Sequence, residues 1–286
     1  MKRCAFLTMD NMKSFVSDDK LAVDVLLNMD WEVETIPWRQ PNIDWDAFDV
    51  VVIRSTWDYH DDPDLFIKVL RQIEASDTRL ENALAPVKWN VDKRYLHDLE
   101  NKGVRVVQTS FGSDLNEERL SELTRSYHNE DFIIKPVISA SAKNTFRVSP
   151  GNVPFEDLVA AFKNKDYMVQ PFMRHIVEEG EFSLFFFNGN YSHCIRKVPK
   201  HNDFRVQEEH GGLIKACPPT LKQLNCAQRV LDNLDYTVLY ARVDLVQDEN
   251  GDYALMELEL IEPSLYLRMD PEAPTRFARA IEAIPL

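Results

Sequence analysis

The chain has 286 residues, 44% of them hydrophobic, which suffices to bury the cores of about two or three compact units without staples. Its formal charge of −14 argues against a nucleic-acid backbone as partner, because such binding needs basic side chains to neutralise phosphates. A small anion remains compatible with that charge, since a few converging cations set the local potential. The longest strongly apolar run, residues 182–187, is far too short to span a membrane, and Met1-Lys2-Arg3 leads into a run too short for a secretory signal. Cys4, Cys194, Cys217 and Cys226 lack zinc-type spacing and read as thiols in a reducing compartment, so a cytoplasmic location is expected.

In chain order, residues 4–9 read as a strand, 17–29 as a helix capped by Ser17, and 31–36 as a second strand. A strand at 50–53 and a helix opening at Pro63 complete an open α/β unit over residues 1–88. Ligands of open parallel sheets sit beyond the carboxyl ends of strands, which points to Arg54-Ser55-Thr56-Trp57-Asp58-Tyr59. Trp57 and Tyr59 would serve equally well as a cover for the core edge.

Residues 92–102 then predict a helix ending at Gly103, 104–107 a short strand, and 116–127 another helix. A strand-rich half follows, with strands at 132–135, 147–149, 168–170, 181–187 and 191–198 and a tight turn at Asn188-Gly189. A helix near 221–234, a hairpin built from 240–246 and 255–263, and a helix over 271–283 finish the chain. There is no internal repeat.

The hairpin carries the densest charge. Alternation puts Arg242 and Asp244 on one face of the first strand and Glu257 and Glu259 on one face of the next. Such a carboxylate cluster suits magnesium, whose shell substrate phosphates can complete, although a solvated hairpin face would show the same alternation. Lys135-Pro136 closes an apolar strand before a loop of small residues, 138–145, whose backbone N–H groups could approach an anion; an edge lysine is the plainer alternative. Gln170-Pro171-Phe172-Met173 offers a connector on which an adenine could stack. Glu178 and Glu181 could accept ribose hydroxyls or simply open a strand in solvent. Arg196, Lys197 and Arg205 could bind a substrate carboxylate or a reacting phosphate, or pair with surface acids. His193 and His210 lack an orienting partner in the sequence and stay outside the catalytic set.

Taken in order, Lys93, Lys135-Pro136, the small-residue loop, Gln170 to Met173, Glu178 to Ser183, Arg242-Val243-Asp244 and Glu257-Leu258-Glu259 resemble the ATP-grasp superfamily. Residues 54–59, 89–96 and 257–266, together with Tyr191-Ser192-His193 and Arg196-Lys197, look like the bacterial group that contains the cyclo-ligase of D-cycloserine biosynthesis and RimK-like or glutathione-synthetase-like proteins. The resemblance implies an ATP-grasp fold, α/β and α+β, behind an N-terminal open α/β (pre-ATP-grasp) domain. Residues 89–286 would form the ATP-grasp domain, with a lid-like part at about 104–172 and a catalytic part at about 173–286.

It further implies a carboxylate-amine ligase that acts through an acylphosphate on a small amino-acid-like substrate, intramolecular ring closure being one form of the reaction. ATP and Mg2+ are the implied cofactors. Lys93 and Lys135 would contact phosphates, Gln170, Pro171, Phe172 and Met173 line the adenine pocket, and Glu178 or Glu181 meet the ribose. Asp244, Glu257 and Glu259 would hold metal, while Arg242, with Arg205 and Arg196, would stabilise the transferring phosphoryl group. Two features differ from many members: serines and alanines replace a glycine-rich loop, and Glu259 stands where asparagine is common, with Pro263 one residue late and Glu262 a further candidate ligand. The implied partners are a small-molecule carboxylate and an amine, with no nucleic acid and no membrane; a homodimer is left open. An ATP-grasp kinase and a non-catalytic nucleotide-binding regulator are the competing readings.

Overall fold

The computed structural model describes every residue except 14, 129, 150 and 152. Near the N-terminus, β1 (Lys2–Thr8), α1 (Asp19–Leu27), β2 (Trp31–Pro37), β3 (Val50–Ser55), α2 (Pro63–Glu74) and β4 (Arg79–Glu81) alternate. Their strands form a parallel sheet in the order β2-β1-β3-β4. Val50 to Ser55 are all buried, as expected of a strand covered on both faces. Pro63 opens α2 where its missing N–H costs nothing, and the Asp62 side chain accepts from the Leu65 N–H at 3.1 Å. Helix α1 starts two residues later than predicted: Asp18 is its N-cap, and Ser17 Oγ instead accepts from the Asp19 N–H.

Two short helices follow, α3 (Leu84–Asn90) and α4 (Tyr95–Asn101). Pro86 lies in the first turn of α3, where proline is tolerated, but it masks the helix in the sequence. After Gly103, with φ of +83°, residues 104–107 make no sheet strand; they meet the hairpin through one isolated bridge, Val106 to Leu255, and through Arg105, which pairs with Asp248 and Asp252.

A second, antiparallel sheet has the order β5-β8-β6-β7, from β5 (Ser110–Ser113), β6 (Phe132–Pro136), β7 (Phe146–Val148) and β8 (Asp166–Pro171). Helices α5 (Glu117–Ser126) and α6 (Phe155–Phe162) supply Leu120, Leu123, Leu158 and Phe162 to its core. Gly112 is needed in β5 because a Cβ there would lie 2.5 Å from the Tyr167 ring.

After α7 (His175–Glu178), β9 (Glu181–Phe187), β10 (Asn190–Val198), β11 (Leu213–Ala216), β12 (Tyr240–Gln247) and β13 (Tyr253–Glu259) build the third sheet, ordered β11-β10-β9-β12-β13 and antiparallel throughout. Helices α8 (Leu221–Asp232) and α9 (Ala273–Glu282) complete the chain. One core cluster joins Phe6 and Val52 of the parallel sheet to Phe185, Tyr240 and Phe277 of α9, so the first and third sheets share an interior. The Tyr240 hydroxyl, buried there, donates toward the carbonyls of Ile53 and Ile261 at 2.6 and 2.7 Å. Among the described residues no helix is long and apolar enough to cross a membrane, and all four cysteines are free thiols.

Candidate active site

Strand pairing assembles the charges. On β12 and β13, Arg242 stands opposite Glu259 and Asp244 opposite Glu257, while Ser183 of β9 faces Asp244 from the other side. Asp244 accepts from Ser183 Oγ at 2.5 Å and from Arg242 Nε and Nη2 at 3.0 and 2.8 Å. A second Arg242 contact reaches Glu259. Lys93, placed at the start of α4, lies 3.1 Å from Glu257 and donates to the Ser139 carbonyl at 2.8 Å.

Lys197 joins this cluster in place of Arg196. The β9–β10 hairpin turns at Asn188 and Gly189, both in the left-handed region, and then an extra residue at Ser192 shifts the register by one. Without that bulge Arg196 would stand opposite Glu181; with it Lys197 does, at 2.7 Å, and also reaches Asp244 at 3.3 Å. Arg196 is turned to the opposite face of the strand, where its side chain runs beside Gly180. Its expected place in the site is therefore corrected to Lys197.

Burial disfavours charge on Asp244, but Arg242 and Lys197 outweigh it and hold the carboxyl down to about 2. Glu257 is likewise lowered, burial being overcome by Lys93 and Lys135. Glu259 goes the other way: burial, joined by Asp244 and Glu257, pushes it up to about 7 against the pull of Arg242. Burial, Glu259 and Glu257 also raise Glu262 far above the carboxylate range. Lys135 is half-buried and makes no ion pair among the described residues; burial, with Lys93 beside it, lowers its pKa in spite of Glu257.

These groups line one cavity together with Gln170, Pro171, Phe172 and Met173. The Gln170 side chain is buried and donates to Thr109 Oγ1 at 2.9 Å, which leaves the connector's backbone and apolar side chains to meet a ligand. The Phe172 ring is covered by the Arg147 guanidinium at 3.7 Å. Arg205 lines the same cavity on the loop after β10, held by Asp203 at 3.0 Å. Glu178 is exposed, 3.7 Å from His175 and outside the cavity, so its expected ribose contact is not supported by its position. Glu181 does line the cavity, with its carboxyl engaged by Lys197.

From the parallel sheet come Trp57 and Tyr59, which wall the cavity. Glu262 and Tyr266 also line it; the sequence offers Glu262 only as a further metal-ligand candidate and Tyr266 only as the end of the 257–266 segment. Tyr266, a bulky residue at φ of +45°, marks the turn after β13. His193 is structural: it stacks on Phe185 at 4.2 Å, contacts the Leu265 carbonyl at 2.9 Å, and burial lowers its pKa to about 4.

No three acidic, histidine or cysteine side chains among the described residues converge on one point as metal ligands. The donor chemistry nevertheless fits a hard cation. Lys93, Lys135, Lys197, Arg205 and Arg242 line the cavity together with Glu181, Glu209, Asp244, Glu257 and Glu259, and Asp244, Glu257 and Glu259 offer the hard oxygen donors such a cation takes.

Comparison with known proteins agrees with this geometry. Residues 4–82 match the family described as D-cycloserine synthetase DcsG, N-terminal domain, and residues 106–267 match the prokaryotic glutathione synthetase, ATP-grasp domain. The chain is 30% identical over 267 residues to the cycloserine biosynthesis protein DcsG of Streptomyces lavendulae, covering 87% of each. The crystal structure of D-cycloserine synthetase DcsG superposes with a TM-score of 0.84 at 25% identity over 98% of both chains. A RimK-domain ATP-grasp protein from Sphaerobacter thermophilus shares the fold, with a TM-score of 0.71 at 12% identity over 97% of this chain and 98% of that one. The chain belongs to the ATP-grasp superfamily, as a ligase of the group that includes D-cycloserine synthetase.

Proposed function

We propose that the cavity binds ATP with its adenine at Gln170 to Met173 and its phosphates toward Lys93 and Lys135, and that it activates the carboxyl group of a small amino-acid-like substrate. The observation that carries this is the meeting in one cavity of unpaired Lys135 with the Arg242, Lys197 and Asp244 cluster, opposite an apolar connector. A carboxylate oxygen attacks the γ-phosphorus and ADP leaves; an amine nitrogen then attacks the acyl carbon, phosphate leaves, and the amine loses a proton. Lys135, Lys197 and Arg242 supply fixed positive charge where the transferring phosphoryl group becomes more negative. Magnesium held by Asp244, Glu257 and Glu259 would add charge neutralisation at the phosphates. The three sheets correspond on this reading to an N-terminal unit, a lid and a catalytic part.

The similarity to D-cycloserine synthetase over nearly the whole chain favours attack by a nitrogen of the same molecule, closing a ring. The test omits any external amine: candidate amino acids are incubated with ATP, and products are read by ADP release and mass. A cyclised product is expected, and hydroxylamine should divert the acylphosphate to a hydroxamate. Arg242→Lys should be at least about tenfold slower, because an ammonium cannot replace the planar contact to phosphate oxygens. A stable phosphorylated product with neither amide nor hydroxamate would favour a kinase instead.

A further inference from the structure

The segment after β13 is pinned through its backbone. Leu260 O accepts from Asn82 Nδ2 at 2.7 Å, Ile261 O from Tyr240 Oη at 2.7 Å, Glu262 O from Trp57 Nε1 at 2.8 Å, and Pro263 O from Arg54 Nη2 at 3.1 Å. Each donor is a buried or half-buried side chain, so the backbone at Glu262 is fixed from several directions. A position held this firmly presents its side chain at a defined point of the cavity wall.

The Glu262 side chain has no corresponding partner. It is 8% exposed and lines the cavity, yet its carboxyl makes no hydrogen bond or ion pair among the described residues. Glu181, Asp244, Glu257 and Glu259 all have such a cation. Neither of its oxygens is a buried orphan among the described residues: both open onto the cavity, where a ligand can reach them. Its surroundings are suited to a cation from outside. Trp57 and Tyr59 line the same cavity, and Trp57 is tied to the Glu262 backbone itself, so two aromatic side chains and a carboxylate share this part of the wall.

We propose, resting on the ligase reading of this cavity, that Glu262 is its specificity residue for an ammonium group on the carboxylate substrate. The ammonium donates to the Glu262 carboxylate and lies against the aromatic wall of Trp57 and Tyr59. An ammonium is favoured over a metal here because Glu262 lies past the end of β13, anchored to the N-terminal unit, whereas Asp244, Glu257 and Glu259 are on the strands beside Arg242 and Lys93.

The test compares D-serine with 3-hydroxypropanoate, which lacks only the ammonium, as acids for ATP-dependent ADP release and hydroxamate formation with hydroxylamine. The wild-type protein is expected to prefer D-serine by about tenfold or more in kcat/KM, a modest value for a desolvated charged contact. Glu262→Gln should bring the two acids to within about twofold, with the KM for ATP and the magnesium midpoint unchanged, and Glu262→Asp should restore part of the preference. A preference that survives in Glu262→Gln, an absent preference in the wild type, or a shifted magnesium midpoint in the variant overturns the proposal. If neither acid releases ADP, the activity assay speaks against the ligase reading rather than this site. The ammonium site is then judged by calorimetry with D-cycloserine, which carries the same free amine. Loss of binding in Glu262→Gln supports the site, and no binding or equal binding by both proteins rejects it.

Discussion

On the wall made by β9, β12 and β13, Glu181, Asp244 and Glu257 each meet a cation within 3.1 Å, and the strands that carry them are hydrogen-bonded on both sides or capped by the hairpin. On the wall facing it, the loop between β6 and β7 places Ser141, Ala142 and Asn144 in the left-handed region without one glycine. Three side-chain contacts hold that loop: the buried bond from Lys93 to the Ser139 carbonyl at 2.8 Å near its start, then Lys143 to Asp61 at 2.6 Å, both more than half exposed, and His210 Nε2 to the Ser141 carbonyl at 3.1 Å. The first wall is overdetermined by buried charge, and the second, beyond Ser139, holds a strained shape with two side-chain restraints, one of them between exposed groups. Substitutions should therefore damage stability on the first wall and leave it nearly unchanged on the second.

The sharpest way to break this comparison lies on β10. Lys197→Met removes the cation shared by Glu181 and Asp244 and leaves buried carboxylates without a full answer, so a loss of about 3–5 kcal/mol is expected in urea unfolding. Arg196→Met, one residue earlier and on the other face, should cost less than about 1 kcal/mol. Equal losses in the two variants would mean that the bulge at Ser192 does not set which side chain enters the site.

That bulge also shows where the sequence stops being legible. The face shared by Arg242, Asp244, Glu257 and Glu259 could be read because alternation holds within each pair, and all four lie on the same side of the register shift that follows Asp244. Choosing between Arg196 and Lys197 needed the position of one unpaired residue in a hairpin, and nothing in Tyr191-Ser192-His193 announces it. The short elements failed for a related reason. Strand β5 is Ser-Phe-Gly-Ser and β11 is four residues on a sheet edge, so neither has length or composition enough to declare a period. Glu262 could be suspected as a carboxylate, but its isolation depends on Trp57, Tyr240, Asn82 and Arg54, which are distant in sequence.

Lys135 tests the boundary between the walls, since it sits on β6 but faces the charge of the opposite sheet. Lys135→Ala should weaken ATP binding by about 1.5–3 kcal/mol, the range for a hydrogen bond to a charged group, while stability changes little because no ion pair is lost. Calorimetry that found unchanged ATP affinity in a folded variant would take this amine away from the phosphates.

The smallest effects belong to the strained loop, where two opposing contributions can be separated. Ala142 at φ of +52° carries a left-handed penalty of about 1–2 kcal/mol that glycine would remove. Glycine also frees the unfolded chain by about 0.4–1 kcal/mol, so Ala142→Gly should end between no change and a gain of about 1.6 kcal/mol. Lys143→Ala removes a contact between two exposed side chains and should cost no more than about 1 kcal/mol. If this ion pair is what holds the loop against the N-terminal unit, its removal should speed amide exchange at residues 139–145 while exchange on β9 and β12 stays unchanged. Faster exchange on both walls, or on neither, would contradict the division, because it would show that the loop and the charged sheet open as one unit or that the tether holds nothing.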